Sequence, residues 1–130
     1  MNRENKITVL VVEPERKPYT KVIDNTLESL QCEVGGYIQA IYPLEDEVAI
    51  ICDEEAKLNN KPLNRSLRDS SGEIYDIIAG TFLVVGLTED NFGSLSEEQL
   101  KKYSRFFEMP EMFVRCNGKI LAIRFECMES

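Results

Sequence analysis

The chain contains no histidine and no tryptophan among its 130 residues. Without an imidazole there is no Ser-His or Cys-His nucleophile, and the His-containing zinc and iron sites are excluded as well. Cysteine is sparse. Cys32, Cys52, Cys116 and Cys127 stand singly, with no C-x-x-C pair from which a four-cysteine zinc site would start. They read as buried thiols acting as small hydrophobes in a reducing compartment. Long apolar runs are missing, so nothing approaches the ~20 residues that span a bilayer. Met1 to Lys6 is polar and the apolar stretch behind it, Ile7 to Val12, is short, which is not a signal peptide. The expectation is a cytoplasmic protein without membrane attachment.

Phosphate-cradling loops are absent too. Gly35-Gly36-Tyr37 and Gly80-Thr81-Phe82 fit neither G-x-x-x-x-G-K-[ST] nor G-x-G-x-x-G, and no EF-hand spacing occurs. No catalytic residue, cofactor or metal is therefore assigned. Carboxylate acid/base or magnesium chemistry and a lysine nucleophile are the only catalytic classes left open.

What the chain has is acidity, concentrated in one place. Residues 22–60 carry nine acids against one lysine, which equals the whole net charge of −8. Residues 61–86 are balanced, and residues 1–21 are slightly basic. Such a chain is repelled by nucleic-acid phosphates, so direct DNA or RNA binding is not expected. The densest clusters, Glu45-Asp46-Glu47 and Asp53-Glu54-Glu55, read first as solvated strand ends. A divalent-cation site and an acidic surface that mimics nucleic acid for a basic partner are the sharper alternatives.

Local patterns organise one α+β domain over residues 1–130. The expected sheet is mainly antiparallel or mixed, with about six or seven strands and two helices covering one face. Residues 1–6 are expected to be flexible. Ile7 to Val12 is a central strand, and Tyr19 to Ile23 pairs back on it. A helix opens at Asp24-Asn25-Thr26, with Asn25 as N-cap, and Gly35-Gly36 ends it. Tyr37 to Tyr42 and Glu47 to Cys52 form a hairpin. Residues 53–72 read as a long loop, and Ile74 to Leu87 as one strand or two broken at Gly80. Ser94 or Ser96 caps a second helix carrying Leu100, Tyr103 and Phe107 on one stripe. Asn117-Gly118 then marks a type I′ turn in a C-terminal hairpin over 112–126. Tyr37, Tyr42, Tyr75 and Phe82 read as one core face of the sheet; an exposed aromatic platform for bases is the sharper alternative, and the local acidity is wrong for it.

The stretch from Asn64 to Leu87 sets a polar approach beside the longest apolar run. Asn64, Arg65 and Arg68 lie at its entrance. If that turn is helical, the two arginines project from one side and suit a phosphate or carboxylate. Alternatively they pair with Asp69, Glu73 or the 45–55 acids and only order the loop. Asp76 interrupts IYDIIAGTF; it is either a solvent-side residue of an alternating strand or an acid/base with a raised pKa.

VLVVEP, IDNTLESLQCEVGGYI, NRSLRD and YDIIAGTFLVVG together resemble the bacterial domain-of-unknown-function 3846 family over roughly residues 7–107. The resemblance implies a cytosolic accessory protein of Firmicutes, their phages and mobile elements, and no activity or catalytic residue comes with it. The reading that follows is a non-enzymatic module that binds another protein. Its alternatives are a small-molecule or nucleotide-binding enzyme with a pocket near Arg65, Arg68 and Asp76, and an acidic mimic blocking a DNA-binding protein.

Overall fold

A computed structural model describes residues 5–126. Among them the order is β1 (Lys6–Val12), β2 (Tyr19–Asp24), α1 (Leu27–Val34), β3 (Ile38–Ile41), β4 (Val48–Asp53) and β5 (Leu63–Arg68). There follow β6 (Ile74–Ala79), β7 (Phe82–Leu87), β8 (Phe92–Gly93), α2 (Glu97–Phe106), β9 (Glu111–Cys116) and β10 (Lys119–Arg124). The fold is α+β. The main sheet runs β2-β1-β7-β4-β3, with β8 on β7, while β5–β6 and β9–β10 form two separate two-stranded sheets. Every pairing is antiparallel.

The central strands are apolar on both sides, as expected of strands covered on both faces. Leu10, Val12, Ile50, Phe82 and Val84 point to one side, where α2 supplies Tyr103 and, as its C-cap residue, Phe107. Ile7, Val9, Val11, Ile51, Leu83 and Val85 point to the other, where α1 supplies Leu30 and Val34. The helices thus cover opposite faces and not one shared face. A single cover would leave one side of ITVLVV and FLVV in water, at a cost of about 25 cal/mol for each Å² of apolar area exposed.

Several local expectations hold. Gly35 ends α1 in the left-handed conformation, at φ +77°. Ser96 and Gln99 form a reciprocal capping box on α2. Asn117 and Gly118 both take positive φ in the β9–β10 turn. The cap of α1, however, is Thr26, whose hydroxyl accepts from the Ser29 N–H at 3.1 Å. Asn25 instead donates to the Phe92 carbonyl.

The long loop at 53–72 is corrected. It holds turns and then β5, which pairs with β6. Gly80 divides 74–87 into strands of different sheets. Its φ of +77° turns the chain, and its N–H donates to the Pro62 carbonyl at 2.7 Å. The cysteines also differ from expectation: Cys52 is buried, whereas Cys32 and Cys116 are exposed on element surfaces. Cys127 lies outside the described residues. Of the four aromatics expected in the core only Phe82 is there; Tyr37, Tyr42 and Tyr75 are exposed. The expectation of a flexible 1–6 falls mostly outside the described residues, and Lys6 already pairs with Asp24 in β1.

Candidate functional site

β5 is a polar strand inside the protein: Asn64, Arg65 and Ser66 are all buried. A buried polar group is tolerated when its hydrogen bonds are made, and here they are. Asn64 Nδ2 donates to the carbonyls of Val12 and Gly80 at 2.9 and 2.8 Å. Its Oδ1 accepts from Arg65 Nη1 at 2.7 Å. Arg65 Nε and Nη2 both reach the Phe107 carbonyl, Nη2 also reaches the Arg16 carbonyl, and Nη1 reaches the Asn64 carbonyl. All five guanidinium N–H groups thus meet protein acceptors. One side chain ties β5 to the end of α2 and to the turn after β1.

Ser66 extends the network to the C-terminal hairpin. Its hydroxyl donates to Glu111 Oε1 at 2.6 Å, and its N–H lies 3.3 Å from both carboxylate oxygens. Glu111 is buried, and the sequence reading did not single it out. The only available signal was an acid at the first position of an apolar strand, a weak one among so many surface acids.

Arg68 ends the same strand but is exposed, and donates to the Gly72 carbonyl at 3.0 Å. In a strand, residues three apart face opposite ways, so the two arginines do not share a side. Asp76 is exposed and paired with Lys57 at 2.7 Å. It lines a depression of about 160 Å³ with Cys52, Asp53 and Lys57. Burial first, then Asp76 and Asp53, pushes the Cys52 thiol up to about 11, so it stays protonated at neutral pH. Arg65, Arg68 and Asp76 therefore occupy an interior, one depression and another depression, and do not converge.

The acids expected to make one surface separate as well. Glu45, Asp46 and Glu47 precede β4, and Asp53, Glu54 and Glu55 follow or end it, roughly 20 Å away by strand rise. Asp46 accepts from Lys102 and from the Tyr103 hydroxyl, both at 2.7 Å, clamping the β3–β4 turn onto α2. The Lys102 bond and then the Tyr103 bond hold its carboxyl below the usual range. Asp53 is buried, at the floor of the depression beside Asp76. Lys61 stands 2.5 Å from Asp53 Oδ2 as an ion pair without good hydrogen-bond alignment. The same ammonium donates to the Val34 and Gly35 carbonyls at the end of α1, where a cation offsets the helix dipole. Burial opposes ionisation of Asp53, but Lys61 and the Glu55 N–H prevail and lower its pKa.

A second depression, of about 320 Å³, opens where the β5–β6 hairpin, the end of α2 and β10 meet. Arg68, Arg124, Tyr75 and Phe106 line it. Tyr75 and Phe106 are more than half exposed. Among the described residues neither Arg68 nor Arg124 has a carboxylate within ion-pair distance. The nearest acid in sequence, Asp69, also lines the depression, but one of its oxygens already accepts from Ser71 Oγ, Ser71 N and Glu73 N. The Ser71 hydroxyl, then the Glu73 N–H, lowers its pKa.

Fold and site define a small α+β protein with a cationic, aromatic-rimmed depression. The chain belongs to the family of the domain of unknown function DUF3846, whose model matches residues 7–108. No curated protein and no solved structure matches it. Among the described residues no helix is long and apolar enough to cross a membrane.

Proposed function

We propose that this protein is a non-enzymatic binding module, and that the depression around Arg68 and Arg124 receives an acidic group of a protein partner. One observation carries the reading. In a chain of net charge −8, with acids plentiful, two exposed arginines line one depression without a carboxylate partner among the described residues. An arginine fork presents a planar pair of donors to a carboxylate, and flanking aromatics exclude water around it. The setting of an accessory protein of phage or mobile-element type rests on the family resemblance alone.

The test is affinity capture from the native cell at moderate salt, comparing wild type with Arg68→Glu/Arg124→Glu. The expected result is one or more proteins retained by wild type and lost from the variant. Equal retention by both would overturn the reading, as would turnover of a small molecule by the purified protein.

The same aromatics and arginines also suit a small phosphorylated or carboxylated ligand. A thermal-shift panel of such compounds distinguishes this second reading, since a shift abolished by Arg68→Ala would favour it. Mimicry of nucleic acid is disfavoured, because Asp53 is buried and Asp46 is occupied by Lys102 and Tyr103.

A further inference from the structure

The cations of this chain divide into two groups. Lys6, Arg16, Lys21, Lys57, Lys61 and Lys102 each stand within ion-pair distance of a carboxylate. Lys17, Lys101, Arg105, Arg68 and Arg124, all exposed, have none among the described residues. Nor do Arg115 and Lys119 on the C-terminal hairpin. In a chain this acidic, cations left unpaired are the exception, and their placement is informative.

All of them except Arg115 and Lys119 line three adjoining depressions. The one around Arg68 and Arg124 shares Phe106 and Arg124 with a neighbour of about 490 Å³, where the end of α2 meets the end of β10. That neighbour shares Arg105 and Glu108 with a further one of about 480 Å³, between the turn after β1 and α2. The three form one band. Its charge is not uniform. At the α2 end Lys17, Lys101 and Arg105 face Glu108 alone, with the Thr20 and Ser104 hydroxyls beside them. At the β5–β6 end Arg68 and Arg124 face Asp69, one of whose oxygens is already occupied by three donors of its own turn. In the middle Arg105 and Arg124 are balanced by Glu108 and Glu126, and Phe106 and Met109 stand 62% and 41% exposed. Arg105 also offsets the dipole in the last turn of α2; Lys17 and Lys101 lie elsewhere.

We infer that this band docks one extended segment of another protein, acidic at both ends and apolar between them. One acidic block meets Lys17, Lys101 and Arg105, the other meets Arg68 and Arg124, and the apolar middle lies on Phe106 and Met109. The Arg68/Arg124 contact rests on the proposed function, and the contact at Lys17 and Lys101 is additional to it. Exposed ion pairs are weak singly, but linking two blocks makes the second contact intramolecular. A nucleic acid fits less well, because its unbroken phosphates would cross Glu108 and Glu126 and meet a chain of net charge −8. A second copy fits less well too. In its two acid clusters Asp46 and Asp53 are already paired with Lys102 and Lys61.

The full-length protein can be titrated, by anisotropy, with a fluorescent peptide in which two glutamate blocks flank a leucine–serine core. Saturable binding is expected, weakening with salt. Replacing either block by serines should weaken it at least about tenfold, and replacing the leucines at least about threefold. Lys17→Glu/Lys101→Glu should weaken the complete peptide at least about tenfold, as should Arg68→Glu/Arg124→Glu. Arg115→Glu/Lys119→Glu changes net charge equally outside the band and should cost less than about threefold. Unchanged thermal melting verifies each fold; where a glutamate variant melts early, glutamine at the same positions takes its place. The inference is overturned if the complete peptide does not bind at its highest soluble concentration, if the leucine-free peptide binds equally, or if the hairpin variant weakens binding as much as the band variants. Loss with Arg68→Glu/Arg124→Glu but not with Lys17→Glu/Lys101→Glu overturns it and leaves the proposed function standing. The reverse pattern overturns it and counts against the proposed function as well. Tighter binding of a thymidine oligonucleotide, lost in both band variants, would assign the band to nucleic acid and overturn it. So would a concentration-dependent dimer in sedimentation, lost in the same variants, which would assign it to a second copy.

Discussion

β5 and the β9–β10 hairpin invert each other. β5 reads LNRSLR and is almost wholly buried, whereas the hairpin strands read EMFVRC and KILAIR and are half exposed. Hydrophobicity alone would exchange their places. The difference teaches that burial follows what surrounds a segment. β5 lies between the turn after β1, the end of α2 and Gly80, each of which offers carbonyls to its donors. The hairpin leaves the body after α2, with only its inner face covered. Ser66–Glu111 joins the two regions, and there the hairpin contributes its own buried polar residue.

The sharpest way to break the comparison is at Arg65. Arg65→Ala leaves the Phe107 and Arg16 carbonyls and Asn64 Oδ1 without their donor and opens a void. The expected loss is about 3–5 kcal/mol, a large share of a domain's net stability. Arg68→Ala, three residues on and exposed, should stay within about 0.5 kcal/mol. Urea unfolding of the two variants measures the difference. Equal effects would mean that the buried network is not what holds β5 in place.

Glu111→Ala acts on the link between the regions. It deprives the Ser66 hydroxyl and N–H of their acceptor, at a cost of roughly 1–3 kcal/mol. Amide exchange should rise across 111–124 well before it rises in β1 or β7, since local openings lie below the global one. Uniform acceleration over the whole chain would contradict a separately anchored hairpin.

These two sites show what was legible in the sequence. ITVLVV, FLVVGL, the Ser96 box and Asn117-Gly118 were readable because each depends on its own residues and a local backbone preference. β5 was not. Its buried side chains carry donors, and their acceptors come from residues up to 52 positions away. In the sequence the Asn64–Asp69 stretch shows only as a polar approach to an apolar run. Its two arginines look alike in sequence, and only strand geometry sends Arg65 inward and Arg68 to the depression. Glu111 and Arg124 were unreadable for the same reason, because β9 and β10 meet β5 and α2 only in three dimensions.

Acid should act on the body and leave the hairpin face as it is. Asp46, Asp53 and Asp69 all lie below the ordinary 3.8 in the folded protein. A carboxyl depressed in the folded state stabilises fully above its unfolded pKa, and that stability is lost as pH falls through the folded pKa. Stability should thus be level near neutrality and decline below about pH 4. Asp53→Asn should be less stable at pH 7 and flatter in the acid limb, because the Lys61 ion pair has already gone. Parallel wild-type and variant curves in a circular-dichroism acid titration would remove Asp53 from the account.

Small folding effects should come from substitutions at hydrophobic positions too. Val114 and Leu121 stand opposite one another on the outer hairpin face, 40% and 50% exposed. Truncating a fully buried leucine typically costs about 2–5 kcal/mol, because transfer energy is lost and a cavity remains. On this face water already reaches the side chains and no cavity can form, while threonine fits a pleated strand nearly as well as valine. Val114→Thr should change unfolding free energy by no more than about 0.5 kcal/mol, and Leu121→Thr by at most about 1 kcal/mol. Val84→Thr, in the fully buried centre of β7, should cost several times more, since its hydroxyl would lie in the core with no assured partner. If the hairpin variants instead destabilised the protein as much as Val84→Thr, the outer face would have to be packed in solution, and the inversion between the two regions would fail at its exposed end.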